Sequence, residues 1–83
     1  MYQLFDGAGD LDIATTDKIS FIIGARQKLT EYINDCIYDN IELKEYQAAK
    51  DWSLLLTKLS TISTINELNS FVNKHLSHII KKV

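Results

Sequence analysis

The sequence predicts an all-α protein: a small antiparallel three-helix bundle with an N-terminal arm able to add a short fourth helix. Two observations carry that expectation, in 83 residues that contain no proline and have the composition of one ordinary soluble domain. Apolar residues recur with the helical period in three successive stretches. The connections between those stretches are short, and short connections make consecutive helices antiparallel neighbours. The expected organisation is one domain over 1–83, with an arm at 1–16 and helices at about 17–38, 41–60 and 64–82.

In the arm, Met1, Tyr2, Leu4 and Phe5 are apolar enough to cover a bundle as an added turn. They lead into LFDGAGDLDIATTD, which invites a test as a calcium loop. With Asp6 first, an EF-hand loop needs oxygen ligands at positions 1, 3, 5 and 12 and a glycine at position 6. Asp6, Asp10 and Asp17 fit, but Ala8 removes one ligand and Leu11 occupies the glycine position. The expectation is therefore a solvated acidic arm and no metal site.

Helix 1 follows from Ile19, Ile22, Ile23, Leu29, Ile33, Cys36 and Ile37 sharing one face at about 100° per residue. Thr15, Thr16 or Asp17 supplies the N-cap oxygen. Asp39-Asn40 closes the helix, and Asp39-x-x-Glu42 has the spacing of a capping box for the next one. Helix 2 carries Ile41, Ala48, Trp52, Leu55, Leu59 and Ile62 along one seam and ends near Ser60, with Leu43 and Leu54 pointing away from it. Thr64-x-x-Glu67 is a second capping box. It precedes the run Ile65, Leu68, Val72, Leu76, Ile79 and Val83, and Lys81 and Lys82 suit the negative end of the helix dipole.

Little catalytic chemistry can be assembled. Cys36 is the single cysteine, and with His75 and His78 it falls short of the four ligands of structural zinc. A cysteine on a packing face behaves as a small hydrophobe. There is no glycine-rich phosphate loop and no nucleophile–base set, so no enzyme activity, cofactor or metal is expected. No apolar run approaches the roughly 18 residues of a membrane span, and no basic leader precedes one. Cytoplasmic residence is the expectation, and a lone cysteine fits a reducing compartment. The net charge of −2 is not that of a nucleic-acid binder.

Three features depart from a plain bundle. Arg26 projects onto the apolar face of helix 1, where a guanidinium requires a partner; with a turn near Asn40 its level matches Asp51 and Trp52, giving an ion pair or a cation–π contact. Asn66, Asn69, Ser70, Asn73 and Ser77 form an uncharged polar stripe on helix 3. Glu31, Asp35 and Asp39 step by four residues into the C-terminus of helix 1, where mutual repulsion and the dipole both disfavour carboxylates. Tyr38, Glu42 and Tyr46 surround that ridge, and tyrosine among exposed charges is typical of interfaces.

Glu31, Asp35, Tyr38, Asp39, Glu42 and Tyr46 are thus the expected partner-binding residues. The function expected from them is that of a small acidic inhibitor of immunity or antitoxin type, blocking a basic protein such as a nuclease toxin. The alternative is a self-associating regulatory or assembly subunit, a homodimer built on Leu43, Leu54 and the helix 3 stripe.

Overall fold

Two alternating stretches, Tyr2–Phe5 and Leu11–Thr15, flank the aspartate- and glycine-containing residues 6–10 and form strands β1 and β2. The computed structural model describes the backbone of residues 1–5, 11–76 and 81–82, and the side chains of 1–4 and 13–76. β1 and β2 pair antiparallel, with Tyr2 opposite Thr15, Leu4 opposite Ile13 and Phe5 opposite Leu11. Asp12 is skipped in this register, a one-residue bulge. A third strand, β3 at Lys81–Lys82, pairs with the other edge of β1, giving the order β2-β1-β3.

The described arm residues are thus strands and not a fourth helix, and the described chain is mostly helical, three helices with a small sheet beside them. Period-two alternation with β-branched and aromatic residues in two short runs is the sequence signature of this pairing. Lys81 and Lys82 likewise do not cap a helix.

Helix α1 spans Lys18–Glu42, α2 Tyr46–Ser60 and α3 Ile65–Phe71, and a π-helical turn at Val72–Leu76 continues α3. The described residues fall into two compact units, 1–25 with 63–83, and 26–62.

In the first unit, Asp17 caps α1. Its carboxylate accepts from the Ser20 hydroxyl and from the backbone N–H of Ser20 at 3.0 Å, and these bonds, the hydroxyl's first, hold its carboxyl below the ordinary range. The hairpin lies on the first turns of α1: Tyr2 stacks on Phe21 with ring centroids 5.5 Å apart, and Ile13 packs over Gly24. Leu4, Phe21, Ile22, Ala25, Leu68, Phe71, Val72 and Leu76 are buried. Thr64 caps α3 as expected: its hydroxyl accepts from the Glu67 N–H at 3.1 Å and donates to a Glu67 carboxylate oxygen at 2.9 Å. The run Leu68, Val72, Leu76 is buried as its spacing predicts, but regular α-helix stops at Phe71, well before residue 82. Ile79, Val83, Ser77 and His78 lie outside the described residues.

The buried face of α1 overlaps the expected one without matching it. Ile22, Leu29 and Ile33 are buried as expected, but Phe21 and Ala25 extend the row of Leu29 and Ile33 toward the N-terminus, while Ile19 and Ile23 are 68% and 60% exposed. Steps of four residues advance about 40° past a full turn, so such a row slants across the helix surface. A straight projection weighted toward isoleucine puts the face about 60° too far round.

In the second unit, Leu29, Ile33, Ala49, Leu59 and Ile62 are buried. Tyr32 meets Trp52 edge-on at 6.1 Å between centroids, and an Arg26 guanidinium N–H donates to the carbonyl of Ser60 at 3.0 Å. Arg26 thus caps the end of α2, in place of the expected contact with Asp51 or Trp52. The cause is the position of the turn. α1 continues through Asp39-Asn40 to Glu42, so Asp39 does not start a capping box and α2 begins five residues later than position 41.

The turn is a Schellman motif: the N–H of Glu45 donates to the Asn40 carbonyl at 2.8 Å and that of Lys44 to the Ile41 carbonyl at 3.0 Å. Lys44 takes the left-handed position with φ of 61°. A Lys there gives no sequence signal, because glycine or asparagine is the usual occupant. Ile41, expected on the helix 2 seam, instead lies in the last turn of α1 and is 47% exposed.

Candidate functional site

The six residues expected to bind a partner all belong to the second unit. Glu31, Asp35, Tyr38, Asp39 and Glu42 lie on α1, and Tyr46 opens α2 beyond the three-residue turn. At about 100° per residue the five on α1 share an arc of about 100° on the side away from Leu29 and Ile33. All six are exposed, Tyr38 at 69% and Tyr46 at 62%. The acidic ridge therefore reaches solvent along three turns of helix. No basic residue occupies the last turn of α1, so Asp39 and Glu42 stand at the negative end of the dipole uncompensated by their own helix.

The same corner exposes apolar residues not counted as part of the site. Leu43 is 68% exposed and Ile41 47%. Leu43, expected to point away from a helix 2 seam, lies instead in the turn between α1 and α2, so its exposure, like that of Ile41, depends on where the turn falls. Leu54, also expected to point away, is 56% exposed.

The other candidates are distributed elsewhere. Cys36 is a free, half-buried thiol whose neighbour one turn back is Tyr32. Partial burial and then the Cys36 thiol push the Tyr32 phenol up to about 12. His75 is half-buried and packs against Phe71 with ring centroids 5.1 Å apart. Among the described residues no group of three or more His, Cys, Asp or Glu could hold a metal ion. The side chains of Asp6, Asp10 and Asp12 lie outside the described residues, and Asp17 serves as a helix cap. On α3 and its π turn, Asn66, Ser70 and Asn73 are exposed and Asn69 is half-buried. No described helix is long and apolar enough to cross a membrane. Comparison with protein-family models, curated proteins and solved structures finds no match.

Proposed function

We propose that this chain is a non-catalytic, cytoplasmic binding protein whose acidic ridge on α1 docks onto a basic protein and blocks it, as an inhibitor of immunity or antitoxin type does. One observation carries the reading: Glu31, Asp35, Tyr38, Asp39, Glu42 and Tyr46 are all exposed in one unit, with carboxylates placed where helix energetics disfavour them. Clustered carboxylates steer onto a site built for phosphate, with association rates that fall as salt rises. The helical scaffold fits this role as an antiparallel arrangement, since the contacts Arg26–Ser60 and Tyr32–Trp52 step in opposite directions along α1 and α2.

Affinity capture from the native host at low and high salt tests it, with the wild type beside a Glu31→Lys/Asp35→Lys variant. A basic protein retained by the wild type at low salt and lost from the variant is expected. An identical bound set for both proteins at both salts would overturn the proposal.

The second reading, a homodimeric assembly subunit, is favoured by the exposure of Ile19, Ile23, Leu43 and Leu54. Light scattering separates the two, because a dimer held by apolar contacts persists at high salt.

A further inference from the structure

The corner joining α1 to α2 is more than an acidic ridge. Within nine residues it exposes four large apolar side chains, Tyr38, Ile41, Leu43 and Tyr46, each between 47% and 69% accessible. Single exposed apolar residues are ordinary, but four within nine residues around one turn are a concentration. Carboxylates are interleaved with them: Asp39, Glu42 and Glu45 within the same nine residues, and Asp35 one turn earlier, all exposed. Lys44 is the single cation between positions 29 and 49.

A second copy of the chain is a poor occupant for this surface. Isologous pairing would lay one set of carboxylates against the other, and opposed like charges cost energy. The occupant must bring cations and apolar groups at the same short spacing, because acid and hydrophobe are interleaved along residues 38–46. Resting on the binding role above, we infer that the corner takes a basic amphipathic segment of a partner protein. Its apolar side chains seat on Ile41, Leu43 and the two tyrosines, and its lysines or arginines meet the surrounding carboxylates. Charges at such a rim govern the approach, whereas desolvated aliphatic and aromatic contacts govern how long the complex lasts. Ile41 and Leu43 therefore hold the partner, and the ridge recruits it.

The test uses two synthetic probes of equal positive charge, a peptide with leucine and lysine at helical spacing and an oligolysine, titrated into isotope-labelled protein by NMR. The leucine–lysine peptide is expected to perturb residues 38–46 and to bind at least about tenfold more tightly than oligolysine, a gap of about 1.4 kcal/mol. That gap should close in an Ile41→Ser/Leu43→Ser variant, whose changes are at exposed positions and whose folding is checked by circular dichroism. Equal binding of both probes to the wild type, or a gap that survives in the variant, overturns the inference while leaving the acidic-ridge function standing. No perturbation of residues 31–46 by either probe overturns both.

Discussion

The guanidinium of Arg26 and the main-chain carbonyl of Ser60, 34 positions apart in sequence, are joined by a 3.0 Å hydrogen bond at the C-terminal end of α2. A cation placed there satisfies one of the last carbonyls and complements the partial negative charge of the helix end. Arg26→Ala should lower stability by about 0.5–1.5 kcal/mol, read as a shift in the urea midpoint. Arg26→Lys should recover part of it through the charge alone. A midpoint unmoved by either change would mean that the contact contributes nothing.

Lys44 occupies a left-handed conformation that costs an L-residue roughly 1–2 kcal/mol. Glycine relieves that strain but loses more chain entropy on folding, so Lys44→Gly should stabilise by about 0.5–1 kcal/mol. A rise of a few degrees in Tm is the expected reading. Lys44→Ala, with the same backbone strain and no charge, should show no such gain.

A β-carbon on Gly24 would stand 3.2 Å from the Cδ1 atom of Ile13. Alanine at a helical position is better than glycine by about 1 kcal/mol, but here that gain is offset by the displacement of Ile13. Gly24→Ala alone should be close to neutral. In an Ile13→Val background, which lacks the Cδ1 atom, the same change should recover most of the gain in a double-mutant cycle. Equal effects in both backgrounds would contradict the packing of the hairpin on α1.

Tyr32 links stability to alkaline pH. Its phenol is pushed up to about 12 in the folded chain by partial burial and then by Cys36, against an ordinary value of about 10. The neutral form is favoured by folding, so this contribution is complete below pH ~10 and is lost as pH rises through ~12. Near-ultraviolet absorbance should show a late tyrosine step, absent from Tyr32→Phe. That variant should also lose less stability between those two pH values.

The parts of the fold legible in the sequence are those fixed by local chemistry. Asp17 and Thr64 mark helix starts because their oxygens meet N–H groups three residues on, and Leu68, Val72 and Leu76 keep their period. The parts misread depend on longer-range facts. Nothing about Lys44 announces a left-handed residue, so the sequence puts the turn near Asn40, too early, and sets Arg26 level with Asp51 and Trp52 in place of Ser60. The arm read as an acidic lead because its carboxylates outweighed the alternation of Tyr2 with Leu4 and of Leu11 with Ile13. Of the candidate site, solvent exposure was legible from the helix period. Its apolar members Ile41 and Leu43 required the turn to be located first.

The pairing of Leu4 with Lys82 has a consequence for the order of assembly. The β1–β2 hairpin closes a loop of a few residues, whereas β3 can reach β1 only by closing nearly the whole chain. By loop length alone the second closure costs about 2 kcal/mol more, for a ladder of two residue pairs. Such a strand cannot nucleate folding. It joins after the intervening helices have brought it to β1 and leaves before they part, so its amides should exchange with solvent sooner than those shared by β1 and β2.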